Sequence, residues 1–326
     1  MSKKTIKFII FLGLGIFIFY FLLKNVKVDD FKMAFKNFDW RFSFSAFGIY
    51  IVMNIFRALR FNFFLENKIG FKRFLKIVFL YNFWNQVMPF RSGELSYLYL
   101  VKKNKKVLIG ENLASLVAAR VFDLLVITLF ALAGMFFVFK KGAPAFDINS
   151  WLGLGVGLVI FIFVSVIFLN KKIGVFFDFF LKKIGLLRFK IFSFLLERLK
   201  ETLGAFSTIK SVKRFFVFLG YSACIWLVDF FVIWSMSFAA GIEVTFWQAI
   251  VSTSFLLLTI FILPFQTPVN LGTYEGSLTL VYLFFGFEKN IAVSAGLLIH
   301  IQNFVFTFIL FIFAYLFMKN GLLKKT

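Results

Sequence analysis

The sequence predicts an all-α polytopic membrane protein with six full spans and two broken or re-entrant helical hairpins. The first observation is composition: 61% of the 326 residues are hydrophobic and 56 are phenylalanine, whereas an ordinary soluble domain is about 45–50% apolar. The second is a series of apolar runs that approach or exceed the roughly 20 residues a helical span needs. The third is a positive charge that alternates between connections. Together these observations exclude a soluble enzyme.

Six continuous apolar runs predict the full spans, at about 6–23, 42–56, 112–139, 151–169, 215–240 and 291–318. Two further runs are interrupted by proline and glycine and predict the hairpins, at about 74–101 and 247–287. Lys24-Asn25 rather than a small-residue cleavage site follows the first run, so we expect an uncleaved anchor. The whole chain, 1–326, is predicted as one integral membrane domain. Its segment 170–213 is amphipathic and is expected to lie on the cytoplasmic surface.

The net charge of +22 has a topological meaning. The chain carries 37 Lys+Arg against 15 Asp+Glu, and most of the basic residues fall in alternate connections. This is the positive-inside pattern, and it predicts a protein of the cell (inner, cytoplasmic) membrane with both termini in the cytoplasm. The excess charge would then meet anionic lipid, and no nucleic-acid partner is expected.

The order of spans and hairpins predicts an inverted repeat. A unit of span, broken hairpin and span occurs at about 42–139 and again at about 215–318. If each hairpin begins and ends on one side, the two copies cross the membrane in opposite directions, as in many transporters. Arg120 also follows Glu94 at nearly the interval at which His300 follows Glu275. The alternative is two unrelated spans kinked by proline and glycine.

Six ionised residues lie inside the apolar stretches, where charge is costly. Each would cost about 2.5–3.5 kcal/mol at the centre of a lone helix. Six unpaired charges would oppose insertion, so these side chains must face one another, a watery cavity or a polar ligand. The six are Arg91, Glu94, Arg120, Asp123, Asp229 and Glu275, with His300 as a further titratable group.

The densest polar segment, about 82–94, contains the first helix break. Pro89 removes a backbone donor and disfavours the helical conformation of the residue before it. Asn85 can satisfy some of the backbone groups that the break frees. A helix that restarts just beyond would point its positive end into a cavity, and with Arg91 beside it we predict a seat for a phosphate. The alternative is a structural Arg91–Glu94 pair with no ligand.

The second hairpin contains a similar break. The predicted break residues of the two hairpins are Pro89, Gly93, Pro264, Pro268 and Gly272. Glu275 has no basic neighbour in its own segment, so we expect its partner to be Arg91 or Arg120 if the repeats face each other. Alternatively Glu275 carries a proton, because burial favours the neutral form of a carboxyl group.

The remaining buried charges lie on single helices. Arg120 and Asp123 are three residues apart and therefore share a helix face. They form either an internal ion pair or a pair in which Asp123 orients Arg120 toward an anionic headgroup, which a guanidinium binds through two hydrogen bonds. Asp229 belongs to no motif and is assigned, with His300, to coupling. His300 alone on an apolar helix is also typical of a hydrogen-bonded packing residue.

The polar motifs together resemble a known family. In order they are Asn85, Pro89, Arg91, Gly93 and Glu94, then Arg120 and Asp123, then Pro268, Gly272, Glu275 and Gly276. This order and spacing resemble the flippase-like integral membrane family related to the transmembrane part of lysylphosphatidylglycerol synthase, over about 5–318. Arg60 resembles the basic residue that closes an early span of that family. Tyr97 is a departure, because the family often has a basic residue shortly after the Gly-Glu pair.

The resemblance implies movement of lipids or lipid-linked molecules between leaflets. The soluble aminoacyl-transfer domain of the synthase is absent from this chain, so lysyl transfer to lipid is not expected from it. We therefore expect a translocase rather than an enzyme, with the substrate bound by Asn85, Arg91, Glu94, Arg120, Asp123 and Glu275. No cofactor or metal is expected, because the chain has one cysteine and one histidine.

Two other functions stay open from the sequence. One is a proton- or ion-coupled transporter of a small polar anion, which needs a site closed to lipid. The other is a non-transporting regulator of a neighbouring lipid-modifying enzyme. The expected partners are membrane phospholipid or a lipid-linked substrate, with a second copy of the chain or a lipid-synthesis enzyme as a protein partner.

Overall fold

The computed structural model describes residues 28–88, 93–103, 107–139, 211–262 and 267–322, with Tyr20, Phe179, Phe180, Lys182, Lys183 and Leu196. Regular structure in the five ranges is helical. The first unit contains α1 Val28–Lys36, α2 Trp40–Phe64, α3 Phe71–Val87, α4 Glu94–Lys102 and α5 Ile109–Phe139. The second contains α6 Val212–Ala239, α7 Phe246–Ile262, the 3-10 turn Pro268–Asn270, α8 Thr273–Phe284 and α9 Lys289–Leu322.

Four of these helices are long and apolar enough to cross a membrane: Trp40–Phe64, Ile109–Val138, Val212–Ala239 and Lys289–Phe317. They coincide with four of the predicted spans, so the chain is a multi-pass membrane protein whose regular structure in the described ranges is helical. The predicted spans 6–23 and 151–169 and the amphipathic segment 170–213 lie outside the described residues, apart from a few isolated positions.

The first predicted helix break lies between two separate helices of the structure. Helix α3 ends at Val87, and Met88 adopts an extended conformation with ψ 132°. An extended residue is expected before proline, because the proline ring clashes with a helical predecessor. Helix α4 then restarts at Glu94. Pro89 and Arg91 themselves lie outside the described residues.

The second break is also present. Helix α7 spans Phe246–Ile262, and the 3-10 turn Pro268–Asn270 precedes α8, which begins at Thr273. Positive φ angles at Val269 (59°), Asn270 (57°) and Gly272 (79°) turn the chain there. Pro264 lies outside the described residues. Helix α3 has 17 residues, about 25 Å at 1.5 Å per residue, which is short of the roughly 30 Å hydrocarbon core.

A close backbone approach brings the two halves of the first hairpin together. A Cβ atom added at Gly93 would overlap backbone atoms of Asn85 and Trp84. Only glycine therefore lets the start of α4 lie directly against the end of α3. This contact places Glu94 beside the polar end of α3.

Helices α2 and α6 form the centre of the fold and run antiparallel. The backbone N–H of Asp39, which caps α2, donates to the carbonyl of Ala239 at the end of α6 (3.0 Å). Near the same end, the Ser235 hydroxyl donates to the carbonyl of Phe42 (2.9 Å). Toward the opposite end, the rings of Phe64 and Phe218 pack edge to face.

Most of the other helix contacts occur in matching pairs between the two units. Helix α3 of the first unit packs on α9, and α7 of the second packs on α5. Within the units, α4 packs on α5 as α8 packs on α9, and α2 contacts α3 as α6 contacts α7. Across the centre, α5 contacts α6 and α9 contacts α2. The broken hairpins therefore each contact the last helix of the opposite unit.

Candidate functional site

A cavity of about 210 Å³ lies between the two units. Helices α2, α3, α5, α6, α7 and α9 and the turn before α8 all contribute to its wall. The charged residues that line it are Arg57, Arg60, Arg120, Asp123 and Asp229. Pockets that enclose drug-sized ligands have volumes of about 300–1,000 Å³. This cavity is therefore sized for a small polar group rather than for a whole lipid.

Arg120 and Glu94 form an ion pair at the cavity wall. The guanidinium Nη2 of Arg120 lies 2.6 Å from Oε1 of Glu94, and its Nε donates to the same oxygen at 3.1 Å. Nη2 also donates to the Tyr81 hydroxyl at 2.9 Å. The two side chains are 33% and 28% exposed. The break between α3 and α4 thus brings Glu94 to a basic residue 26 positions further along the chain.

Asp123 belongs to a different pair from the one the sequence predicts. Both terminal guanidinium nitrogens of Arg60, at the end of α2, donate to the Asp123 carboxylate. Nη1 of Arg60 also donates to Ser222 (2.9 Å), and the Trp226 indole donates to Asp123 (2.7 Å). The Arg60 and Asp123 side chains are only 3% and 6% exposed.

This arrangement corrects the expected pairing of Arg120 with Asp123. The two residues share a helix, but each turns toward a different neighbour: Arg120 toward α4 and Asp123 toward α2 and α6. The correction has a tertiary cause, since α2 and α6 pack antiparallel and bring Arg60 and Trp226 to the same carboxylate. Sequence reasoning found Arg60 only through the family resemblance, not through the buried-charge argument.

Glu275 pairs with His300 rather than with an arginine. Its Oε1 lies 2.7 Å from Nδ1 of His300, and its Oε2 accepts the backbone N–H of Gly272 at 2.8 Å, which caps α8. The Tyr274 ring stacks on the imidazole with centroids 4.4 Å apart. The expected partnership with Arg91 or Arg120 is corrected accordingly for Arg120, and Arg91 lies outside the described residues.

The Glu275–His300 pair is shielded from solvent, unlike the Glu94–Arg120 pair. Its two side chains are 2% and 6% exposed, and neither lines the cavity, although Tyr274 between them does. The structure therefore places Glu275, a predicted substrate-binding residue, outside the cavity wall. The interval from Glu275 to His300 is 25 residues, close to that of the first pair.

Arg57 and Asp229 line the cavity without ion-pair partners among the described residues. Nη1 of Arg57 makes one long contact, 3.5 Å, to the Asn82 side chain. Asp229 lies one turn beyond Trp226 on α6. Sequence reasoning assigned Asp229 to coupling and missed Arg57, counting it with the charges of the following connection. The signal that could have found Arg57 is its spacing of three from Arg60, which puts both on one face of α2.

Two amide side chains of α3 complete the polar wall. Asn85 and Gln86 both line the cavity. Among the described residues, Oδ1 of Asn85 and Nε2 of Gln86 are buried without a hydrogen-bond partner. Unpaired buried polar atoms are rare and costly in native proteins. The predicted role of Asn85 in binding is consistent with this position.

These features define a multi-pass α-helical membrane protein whose bundle encloses a small, charged cavity. The family model described as Lysylphosphatidylglycerol synthase TM region matches residues 6–310. The chain belongs to this family, which confirms the relationship inferred from the motifs and indicates a membrane protein of lipid-related function. No curated protein and no solved structure matches the chain. Within the described ranges, no group of three His, Cys, Asp or Glu side chains is placed to hold a metal ion.

Proposed function

We propose that the protein moves a phospholipid or lipid-linked anionic molecule between the leaflets of the cell membrane, as a transporter and not as an enzyme. The observation that carries the proposal is a headgroup-sized cavity with the Arg57 and Arg120 side chains in its wall, inside a bundle of apolar helices. The headgroup enters the cavity while the acyl chains stay in the bilayer. Membership of a lipid-related family supports the same function.

The anion contacts come from two helices on one cavity. Arg57 projects from α2 and Arg120 from α5. Guanidinium groups recognise phosphate through paired, charge-assisted hydrogen bonds. Glu94 holds Arg120 through two hydrogen bonds to one oxygen, so that Arg120 is oriented before the ligand arrives. The Arg60–Asp123 pair is a structural clamp in this scheme, because it is almost fully buried.

The architecture we propose has six spans and two re-entrant hairpins arranged as an inverted repeat, with both termini cytoplasmic. Three observations support it. The helix contacts match between the two units, and α2 runs antiparallel to α6. A carboxylate at the start of α4 or α8 also pairs with a basic residue of the following long helix in each unit. Inverted repeats with broken helices are a common basis for alternating access.

The two equivalent ion pairs differ in exposure, and this difference supports a mechanism. Glu94–Arg120 faces the cavity, whereas Glu275–His300 is closed. If the units exchange conformations during transport, the first pair closes as the second opens. The headgroup is then released to the opposite leaflet through the second hairpin.

The size of the cavity is also compatible with one alternative function, a transporter of a small polar anion. A volume of about 210 Å³ accommodates a free anion as well as a lipid headgroup. The two functions differ in whether the moved molecule carries acyl chains. For either function, the proposed protein partner is a second copy of the chain or a lipid-synthesis enzyme.

The test is transbilayer movement of phospholipids in proteoliposomes. Phosphatidylglycerol and phosphatidylethanolamine with a fluorescent NBD group on one acyl chain are followed by dithionite quenching, which leaves each headgroup unmodified. We expect the wild type to move at least one of the two, and Arg57→Ala and Arg120→Ala to abolish the movement.

Arg214→Ala is the matched control, because Arg214 also pairs with a glutamate, Glu66, but is exposed and lies outside the cavity. It should transport like the wild type. Movement of neither lipid by the wild type, or full transport by folded Arg57→Ala and Arg120→Ala, would overturn the proposal. Uptake of inorganic phosphate without lipid movement would favour the alternative.

A further inference from the structure

We infer that Glu275 and His300 form a proton-binding site that controls the second hairpin. The hairpin, which consists of α7, the following turn and α8, is closed while the pair holds a proton on Nε2 of His300, and it opens when that proton leaves. The inference deepens the proposed function, whose mechanism requires this hairpin to open. It starts from a chemical difference between the two hairpins.

Each hairpin has a carboxylate in the first turn of its second helix, and a basic residue of the next long helix pairs with it. Glu94 begins α4 and pairs with Arg120, whereas Glu275 lies in the first turn of α8 and pairs with His300. Arginine is always charged in proteins, but histidine ordinarily changes charge between about pH 5 and 8. The basic member of the first pair is therefore permanently charged, and that of the second pair is not.

The hydrogen bonds of the pair identify the atom that gains and loses the proton. Nδ1 of His300 lies 2.7 Å from Oε1 of Glu275, so one proton lies between these two atoms. Nε2 of the same ring is buried and has no hydrogen-bond partner among the described residues. Any further proton of the pair is therefore on Nε2. With it the pair has no net charge, and without it the pair carries one negative charge.

The burial of the pair gives this charge difference a large effect. The Glu275 and His300 side chains are 2% and 6% exposed. Oε2 of Glu275 accepts the backbone N–H of Gly272, but no second basic side chain pairs with it among the described residues. A buried net charge costs more than one unpaired donor such as Nε2–H. The proton therefore favours the closed hairpin, and its loss favours a hairpin that admits water.

The contact between α8 and α9 separates the pair from water. A Cβ atom added at Gly296 would lie 3.1 Å from the carbonyl oxygen of Glu275 and 3.2 Å from Oγ1 of Thr279. The same Oγ1 of Thr279 is buried without a hydrogen-bond partner among the described residues, as is Nε2 of His300. Unpaired buried polar atoms are costly. Movement of α8 away from α9 would let water reach both atoms, which favours opening once the proton has left.

The other ionisable groups around the pair come from α1, α2, α3, α6 and α8, since α7 carries none. Tyr274 of α8 stacks on the imidazole. None of these groups makes a hydrogen bond or ion pair with Glu275 or His300 among the described residues, so the protons of the pair set its charge. Besides Glu275, those that act electrostatically on Tyr274 are Asp229, Tyr50 and Tyr282. The packed helices also carry Arg57 in the cavity wall, Lys76 beside Phe317, and the Asp and Lys residues of α1.

The experiment measures opening of the hairpin without lipid transport. Thr279→Cys in a Cys224→Ser background is reconstituted in nanodiscs and labelled with a water-soluble maleimide between about pH 5 and 8. Leu98→Cys is the matched probe, because it lies one turn beyond Glu94 as residue 279 lies one turn beyond Glu275. The ratio of the two labelling rates cancels the pH dependence of the thiol itself. We expect this ratio to rise at least about tenfold with pH, since loss of one proton shifts an equilibrium by up to tenfold per pH unit.

Three substitutions fix the charge of the pair. His300→Arg makes the basic member permanently charged, so the labelling ratio should stay low at every pH. His300→Gln keeps a neutral donor for Glu275 and leaves the net negative charge, so the ratio should stay high. Glu275→Gln removes the negative charge and keeps an oxygen that accepts the Gly272 N–H, so the ratio should not rise with pH. If the larger arginine prevents folding, the two glutamine variants decide the test, because they are expected to differ at high pH.

Asp229→Asn is the control for the other buried carboxylate near the pair, and it should keep the rise of the ratio with pH. The inference is overturned if the wild-type ratio is constant across the pH range or if His300→Gln keeps the rise. It is also overturned if Asp229→Asn abolishes the rise and Glu275→Gln does not. A ratio that follows sodium concentration at constant pH would show that the site binds a metal cation instead of a proton.

The outcomes separate this inference from the proposed function. If the labelling ratio rises with pH as expected but the wild type moves no lipid, the proton-binding site stands and the proposed function fails. If the wild type moves lipid and its labelling ratio does not change with pH, the proposed function stands and the inference is overturned.

Discussion

Replacing Asp123 with alanine removes the carboxylate that joins three helices, and it should strongly destabilise the fold. Asp123 on α5 accepts hydrogen bonds from Arg60 on α2 and from Trp226 on α6. Without it, the Arg60 guanidinium is left as a buried charge whose one remaining hydrogen-bond partner among the described residues is Ser222. Breaking one side of a buried ion pair in this way costs about 3–5 kcal/mol.

The Glu94–Arg120 pair provides the comparison within the same cavity. Its side chains are about a third exposed, against 3% and 6% for Arg60 and Asp123. An ion pair with this partial access to water contributes less than a fully buried one, so Glu94→Ala should destabilise the fold less than Asp123→Ala does. The double variant Arg60→Met with Asp123→Leu should regain part of the loss, because it leaves no buried charge unpaired, although the Trp226 indole then loses the acceptor that Asp123 supplied.

The assay is reversible unfolding in mixed micelles with increasing dodecyl sulfate, followed by circular dichroism. The expected order of stability is the wild type first, then Glu94→Ala and the double variant, with Asp123→Ala well below them. If the free energy of unfolding of Asp123→Ala lies within about 1 kcal/mol of the wild-type value, the structural role of the Arg60–Asp123 pair is refuted. A double variant that is as unstable as the single one would refute it as well.

Two further predictions concern the hairpins. Gly93→Ala should destabilise the fold by about 1–3 kcal/mol, because its Cβ would overlap the backbone of Asn85 and overpacking costs this much. Gly220→Ala is the control, because a Cβ at that position meets nothing within 4 Å. It should change the free energy of unfolding by less than about 1 kcal/mol in the same assay. An equal loss of stability in the two variants would contradict the close backbone approach at Gly93. Thr279→Cys, made in a Cys224→Ser background, tests whether the second hairpin opens. Residue 279 is buried and lies one turn beyond Glu275. If the hairpin opens during lipid translocation, this cysteine should become accessible and react with a water-soluble maleimide. Protection throughout turnover would contradict the exchange of conformations.

The local features of the hairpins could be predicted from the sequence because their causes are local. Proline restricts its own φ and the conformation of the residue before it, so the end of α3 near Pro89 follows from the chain alone. The long spans follow from composition in the same way. The Gly93 contact depends on two helices, and only the presence of a glycine four residues after Pro89 hinted at it.

The pairing of the buried charges could be predicted only in part. The sequence showed that these charges must find partners, but it did not predict the Glu94–Arg120 and Glu275–His300 pairs. The similar intervals between their members indicated only an inverted repeat, and the expected partner of Glu275 was Arg91 or Arg120. The Arg60–Asp123 pair could not be predicted from the buried charges, because it depends on the antiparallel packing of α2 against α6. Arg57 was missed because a charge near the end of a span resembles a connection charge until the fold places it in a cavity.

The most direct test of the central claim is the side-by-side rate of transbilayer lipid movement by the wild type, Arg120→Ala and Arg214→Ala, each reconstituted at equal density. The claim is that a headgroup passes through the cavity that Arg120 lines. It predicts rapid movement with the wild type and Arg214→Ala, and only the rate of protein-free liposomes with folded Arg120→Ala. Equal rates for all three proteins, or no movement above protein-free liposomes with the wild type, would contradict it.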